Sequence, residues 1–486
     1  MSKRSSDTVE LMDASALREA GRAPATPFRV ALSDGGELVV HRLLRVLPGK
    51  RIVGQGLWNG RCVLAKLFVA SGSARHWAQE KAGIEALHEA GVATPDLLLA
   101  GALPAGGHVL LTRFLDGAVS LAEAWTPLAS LQAGHREALA GLCPAFAMLG
   151  YLHASGLVQE DLHLGNFLRY EDRLYVIDGD AVRAIVSGKP LHEDAAVPNL
   201  ALLLAQLPVA WDDCREPLLA AYQRGGGTAI VAVESLAQEV WQARAWRLKD
   251  YLGKTVRDCS LFSVLRSAFH FCSVLRDERE ALSPLLEAPD AAMAQGRLLK
   301  DGRTSTVAQV EQGGRLLVVK RYNLKSFGHA LGRLWRPSRA WHSWREGHRL
   351  LFFGVASPRP LALIEERIGP LRRRAFLINA FCPGLSLLQC LDADQAPPDE
   401  VAREIVSVFA TLHRLRISHG DLKATNLLWH EGRLVVIDLD AVVQHRSARS
   451  YERAWRRDRA RLLRNWPESS ALYRWLDNSL PALAYD

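Results

Sequence analysis

Two stretches of this chain carry two carboxylates and an amide at the same spacing. Residues 159–180 read QEDLHLGNFLRYEDRLYVIDGD, and residues 419–440 read HGDLKATNLLWHEGRLVVIDLD. In each, an Asp is followed five positions later by an Asn and twelve beyond that by a second Asp: Asp161, Asn166 and Asp178, then Asp421, Asn426 and Asp438. That set suits phosphoryl transfer to a hydroxyl. The first Asp orients the hydroxyl and accepts its proton, while the Asn and the second Asp hold Mg2+ on the phosphates of ATP. Lys423, two residues after Asp421, is placed to neutralise charge on the transferred group. From Leu152 to Val182, fifteen of thirty-one positions are identical at an offset of 260. Chance does not produce that, so the chain repeats a whole unit.

A nucleotide also needs a sheet to lie against. In the first half, FRVAL, ELVVHRLLRVL and CVLAKLFVA alternate apolar and polar residues and read as strands broken by Gly-containing turns. Gly54, Gly56 and Gly60, in VGQGLWNG, predict a hairpin whose backbone N–H groups close over the phosphates, a position that excludes bulky Cβ atoms. CVLAK then places Lys66 on the next strand, as the lysine that holds the α- and β-phosphates. The helical stretch Trp77–Ala90 supplies Glu80 as its ion-pair partner, with Glu85 as the competing choice. HVLLTRFLDG (108–117) reads as a last strand running into an adenine-holding hinge. His153 and His163 read as structural histidines.

The second half repeats the plan less closely. RLLKDGRTSTVAQVEQGGRLLVVKRYN reads as three strands and two turns, with Lys320 in the lysine position. Its phosphate loop has only Gly302, with Thr304, Ser305 and Thr306 offering hydroxyl donors instead. Glu346 is the nearest partner for Lys320, and FLINAFCPG (376–384) mirrors the first hinge. Asp180 and Asp440 recur two residues past the metal aspartates; they read as second metal ligands or as turn caps, with the structural role favoured. Residues 321–345 interleave Arg321, Lys325, Arg333, Arg336, Arg339 and Arg345 with Trp335, Trp341 and Trp344. That mixture fits a membrane–water interface, and equally a helix with buried Trp and solvated Arg. The basic tail ERAWRRDRARLLRNWP reads as a helix with a solvated charged face.

The chain has 486 residues, 49% of them hydrophobic. That is too long for one ordinary core and suits two domains of roughly 240 residues. The expected division is a loose segment over 1–26, one domain over 27–290 and a second over 291–486, with residues 243–290 finishing the first and forming the junction. Each domain is α+β, a small β-rich N-lobe and a mainly helical C-lobe. Seven scattered cysteines form no CxxC pair, which argues for free thiols and against a zinc site or disulfide framework. The N-terminus lacks the apolar core of a signal peptide, and no stretch approaches the roughly 18 apolar residues of a spanning helix. A cytoplasmic protein is expected. The net charge of +8 points to anionic partners, although no recognisable nucleic-acid module accompanies it.

The paired signatures, each with its lysine strand, resemble protein-kinase-like folds in tandem. After the first metal aspartate, however, stands Asp178-Gly179-Asp180 rather than Asp-Phe-Gly, and there is no room for a long activation segment. The sequence is similar to the lipopolysaccharide core kinase family, which includes heptose and Kdo kinases. HGDLKATN with VVIDLDAV, LVVKRYN leading to SWREGHRLL, and EDLHLGN with VIDGDAV carry that resemblance, over about residues 28–470. It implies an ATP- and Mg2+-dependent phosphotransferase acting on sugars of the lipid-linked inner core, with peripheral contact to anionic lipids at the cytoplasmic face of the inner membrane. A soluble small-molecule kinase and a pseudokinase scaffold for core assembly are the alternative readings.

Overall fold

The computed structural model describes residues 9–482 except 130, 132, 187, 229–232, 324–336 and 370. Contacts divide the chain into two compact units. One runs to Leu207 and includes Trp211–Arg244; the other holds Pro208–Ala210 and everything from Ala245 onward.

In the first unit, alternating apolar residues bury one face of a seven-stranded sheet: Phe28, Val30, Leu38, Val40, Val63, Ala65 and Leu67 are all buried. The spatial order is Glu10–Leu11, Phe28–Ala31, Glu37–Leu47, Arg51–Trp58, Arg61–Phe68, His108–Arg113, Leu97–Ala102. The last five make the kinase-like lobe, with the helix Ala74–Glu89 connecting its third strand to the next in chain order. The N-terminal segment, expected to be loose up to residue 26, is structured from residue 10. Asp13 caps the helix Ala14–Glu19 by accepting the N–H groups of Ser15 and Ala16, and Met12, Ala14 and Leu17 pack into the sheet's core. The C-lobe is helical. Leu142, Phe146 and Leu149 on Arg136–Ala154 pack with Leu200 and Leu203 on Glu193–Leu204 and with Tyr222 on Glu216–Arg224.

The second unit repeats the five-stranded core in the order Arg297–Asp301, Ser305–Gln312, Arg315–Tyr322, Leu371–Ala380, Pro360–Ile368. Here two further strands, His270–Leu275 and Phe262–Arg266, extend the opposite edge from the one extended in the first unit. This hairpin corrects the expected boundary at residue 290/291. Phe262, Phe271 and Val274 are core residues of the second unit alongside Trp344 and Phe376, so the division falls at Arg244/Ala245. Its C-lobe packs Ile405, Phe409 and Leu412 of Asp399–Arg414 against Trp455 and Leu462 of Ala448–Leu463.

The helix Arg339–Phe352 decides part of the Arg/Trp segment. Trp344 is fully buried and donates its indole N–H to the Thr255 carbonyl at 3.2 Å; Trp341 packs on Phe271 with ring centroids 5.0 Å apart. These two indoles belong to the core and not to a membrane surface. Lys325, Arg333, Trp335 and Arg336 lie outside the described residues. Among the described residues no helix is long and apolar enough to cross a membrane.

Candidate phosphotransfer sites

In the first unit the lysine strand and the helix beside it meet at one turn. Lys66 Nζ lies 2.6 Å from Glu80 Oε1 and 3.1 Å from Asp178 Oδ1. Glu80 also accepts the Gly179 N–H at 3.1 Å. The helix comes this close because neither side of the contact has a side chain. A Cβ on Gly83 would stand 2.0 Å from the Gly179 carbonyl oxygen. Burial pushes the Lys66 pKa down, but the Glu80 and Asp178 carboxylates outweigh it and raise it. Burial likewise pushes Asp178 up, and Lys66, then Arg51 and Arg45, hold it below the usual carboxylate range. Asp178 itself is left-handed, with φ 70° and ψ 66°, which turns the chain sharply at the end of the strand Arg173–Val176.

Gly54 and Gly56 are not in a loop. Both lie inside the strand Arg51–Trp58, Gly54 paired with Leu43 and Ala65, and Gly56 with Val40 and Val63. A Cβ on Gly56 would come 2.4 Å from the Val39 carbonyl oxygen, so these glycines permit close strand approach beside the bulges of the neighbouring strand. The hairpin turn at the Lys66 end is Pro48-Gly49-Lys50, one turn earlier than the sequence suggested, with Gly49 at φ 68°. Arg51, just past it, reaches within 3.8 Å of Asp180.

The first catalytic loop exposes Asp161, and no cation lies within ion-pair distance of it among the described residues. Asn166 is 1% exposed, and neither of its side-chain amide atoms has a hydrogen-bond partner among the described residues, while its backbone carbonyl accepts the Ile177 N–H at 2.9 Å and so sits beside Asp178. Asn199 holds the loop from behind, donating to the Gln159 carbonyl at 2.7 Å. His153 donates from Nε2 to Asn199 Oδ1 at 3.0 Å and accepts the Tyr222 hydroxyl at Nδ1, 2.9 Å away. Burial lowers its pKa to about 4, so it is a neutral structural group.

The second unit holds its lysine differently. Lys320 Nζ is 2.6 Å from Asp438 Oδ1 and 2.9 Å from Asp440 Oδ2. Glu346 does not reach it: that carboxylate pairs with Arg349 at 2.8 Å on its own helix. Asp440 takes the partner's place and is itself bonded by the Tyr322 hydroxyl at 2.6 Å, Ser343 Oγ at 2.7 Å and Arg339 at 2.6 Å. Burial would raise the Asp440 pKa; Lys320, Tyr322 and Ser343 together hold it below the ordinary value. Tyr322 is pushed well above its usual range by burial and by Asp440, so it stays a donor.

The catalytic loop here is braced throughout. Asp458, 2% exposed, accepts the backbone N–H groups of His419 at 2.7 Å and Gly420 at 3.0 Å, and His419 Nε2 donates to the Ile437 carbonyl at 2.9 Å. Asp421 stands between two cations, Lys423 at 3.0 Å and Arg461 at 3.3 Å. Asn426 donates to the Asp421 carbonyl at 2.9 Å. The hairpin Gly302–Thr304 turns at the tip of the first two strands, and the backbone beyond Asp438 is again left-handed, with φ 59° at that residue. A cleft of about 340 Å³, within the range of small-ligand sites, is lined by Lys320, Asn426, Asp438 and Asp440 together with apolar residues. Its apolar end is Val307, Val318, Phe381, Leu428 and Ile437; its polar end is Lys320, Asn426, Asp438 and Asp440.

Residues 294–474, which carry this second site, match the model of the lipopolysaccharide kinase (Kdo/WaaP) family. Over that span the chain is similar to the family. The match supports an ATP-dependent phosphotransferase, and Lys320, Asp421, Asn426 and Asp438 all fall inside the matched span. Among solved structures, the chain is similar to one described as WaaP in complex with acyl carrier protein, at 23% identity and a TM-score of 0.32 over 43% of this chain and 86% of that one. No curated protein matches the chain.

Sequence reasoning missed Asp440 as the lysine's partner and Arg461 as the second cation on Asp421. A signal existed for each: the repeat of an Asp two positions past Asp438, and the arginine-rich tail. Neither signal says which of many partners a side chain meets.

Proposed function

We propose that the second unit transfers the γ-phosphoryl group of ATP to a sugar hydroxyl of the lipopolysaccharide inner core, on a heptose or Kdo. The observation that carries this reading is Asp421 held between Lys423 and Arg461 at the end of the loop that also presents Asn426 to Asp438. Asp421 orients the acceptor hydroxyl and takes its proton as the oxygen attacks the γ-phosphorus in line. Lys423 offsets charge on the group in flight, and Lys320 steadies the α- and β-phosphates. The apolar end of the cleft takes the adenine ring.

The chemistry of the donor set fits a hard divalent cation. An amide oxygen and a carboxylate, with phosphate oxygens completing the shell, suit Mg2+. In the first unit the buried Asn166 amide has no protein partner beside Asp178, as a group reserved for a ligand would. Asn426 with Asp438, and Asn166 with Asp178, would hold the ion, which when bound neutralises charge across the phosphates. In the first unit Lys66 and Glu80 form the phosphate-holding pair, with Asp161 in the acceptor position, so that unit is a second candidate nucleotide site. The lipid-linked acceptor and ATP place the reaction in the cytoplasm, at the inner membrane's face.

The test is mass spectrometry of phosphate transfer from ATP to under-phosphorylated lipopolysaccharide core by wild type, Asp161→Ala and Asp421→Ala. Transfer lost with Asp421→Ala and kept with Asp161→Ala assigns the chemistry to the second unit. Transfer lost only with Asp161→Ala moves it to the first. No added phosphate from wild type with several core acceptors overturns the reading.

A further inference from the structure

The helix Ala448–Leu463 does two things at once. Its buried face carries Asp458, which holds the catalytic loop, and beside it the half-exposed Arg461 pairs with Asp421 and donates to the Gly420 carbonyl. Its outer face continues from Arg461 as a row of arginines. Arg453, Arg457 and Arg461 follow each other four positions apart, and Arg464 comes three later at the C-cap, so all four lie along one side of the helix. Arg453, Arg457 and Arg464 are exposed. None of these three has a carboxylate within ion-pair distance among the described residues; Arg453 and Arg464 make only weak bonds back to the helix's own carbonyls, at 3.4 and 3.3 Å.

Like charges at this spacing oppose each other and weaken a helix by a few tenths of a kcal/mol per pair, roughly 0.2–0.5. A merely solvated face would gain from interspersed acids, and this row has none of its own. The first unit offers the contrast. Its corresponding helix, Glu193–Leu204, reads EDAAVPNLALLL, with Asn199 where the second unit has Asp458 and no basic residue anywhere along it. The arginine row therefore accompanies the one catalytic aspartate that is flanked by cations.

We infer that the row from Arg453 to Arg464 is the subsite for anionic groups of the acceptor, carboxylates or phosphates on the sugar residues adjoining the hydroxyl that reacts. This rests on the phosphotransfer reading of the second unit. Guanidinium forks match both anions in geometry, and a planar pair of N–H donors fixes orientation as well as charge. Arg461, within the row, pairs with Asp421, so an acceptor bound along the row delivers a neighbouring hydroxyl to that carboxylate.

The experiment uses the full chain and two soluble acceptors: an inner-core oligosaccharide freed of lipid, and the same oligosaccharide with its carboxyl groups reduced to alcohols. Binding is measured by calorimetry and transfer by initial rates, for wild type, Arg457→Gln and Arg464→Gln. Each substitution is expected to raise the dissociation constant and the acceptor KM about tenfold, as for a lost charged hydrogen bond, while the ATP KM and kcat stay as in wild type. The carboxyl-reduced acceptor is expected to bind more weakly and to lose its sensitivity to both substitutions. Unchanged acceptor binding in the variants overturns the inference. So does loss of co-sedimentation with phosphatidylglycerol vesicles alongside unchanged oligosaccharide binding, which would assign the row to lipid headgroups. Absence of transfer by wild type would instead strike the phosphotransfer reading, and calorimetry would still decide what the arginines bind.

Discussion

Lys320 is held by Asp440, 2.9 Å away, and not by a carboxylate from the helix behind it. In the first unit the equivalent Lys66 is held by Glu80 of its helix at 2.6 Å. The difference traces to the residue after Asp178 in one unit and after Asp438 in the other. Gly179 lets the helix rest on the turn backbone, whereas Leu439, largely buried, occupies that space in the second unit. With the helix held off, the lysine's counter-charge comes from the turn, and Ser343 and Arg339 tie the helix to Asp440. Asp440→Ala should therefore lower kcat/KM for ATP by about 100-fold, as for a buried charged partner removed. Glu346→Gln should change it less than about threefold, since its carboxylate serves Arg349. Steady-state kinetics with ATP as the varied substrate separates the two.

Gly179 is a steric requirement of the first unit. A Cβ there would meet the Glu80 carbonyl oxygen at 2.5 Å and the Ile84 backbone N at 2.8 Å. Gly179→Ala should cost about 1–3 kcal/mol by overpacking and pull Glu80 off Lys66. Urea unfolding should show a lower midpoint at unchanged slope.

The two asparagines should behave oppositely. Asn166 has no partner for its buried amide, so Asn166→Ala should leave stability unchanged or raise it by up to about 1 kcal/mol. Asn426 donates to the Asp421 carbonyl, so Asn426→Ala should cost about 1 kcal/mol and slow transfer as the loop loosens. Both should weaken the Mg2+-dependent part of nucleotide binding at their own unit. Denaturation midpoints, with fluorescent nucleotide titrations in Mg2+ and in EDTA, check each claim.

Two buried histidines make stability depend on pH. Burial lowers His153 to about 4 and His348 to about 3, against an ordinary value of 6.5. Between those limits the unfolded chain takes up protons that the folded chain refuses, so stability falls as pH drops. The loss begins near the unfolded value and ends only below the folded one. For His153 the full loss is on the order of 3 kcal/mol. Denaturant midpoints at pH 7 and pH 5 should show the fall, and His153→Gln should flatten it in the first unit.

How much of this was legible in the chain depended on how local each contact is. The Asp, Asn and Asp of each loop sit within eighteen residues, and the turn and short strands that present them are written in that same stretch, so their repeated spacing was legible in the sequence. Lys66 and Lys320 were found because alternation fixes which residues a strand turns to one face. Gly54 and Gly56 were expected in a hairpin turn and lie in a strand, because glycine in sequence marks close approach as readily as a turn. Gly54 and Gly56 face neighbouring strands, while Pro48-Gly49-Lys50 makes the bend.

What only the tertiary structure decided are the partners chosen across long separations. Glu80 or Asp440 as the lysine's anchor turns on whether Gly179 follows Asp178 or Leu439 follows Asp438, a matter of how near a helix can pack. Arg461 reaches Asp421 because Asp458, one turn earlier, fastens its helix to the loop. The hairpin Phe262–Leu275 joined the second unit because its phenylalanines fill that sheet's core. Spacing along the chain fixes which groups are available; the shapes that pack between them fix which ones meet.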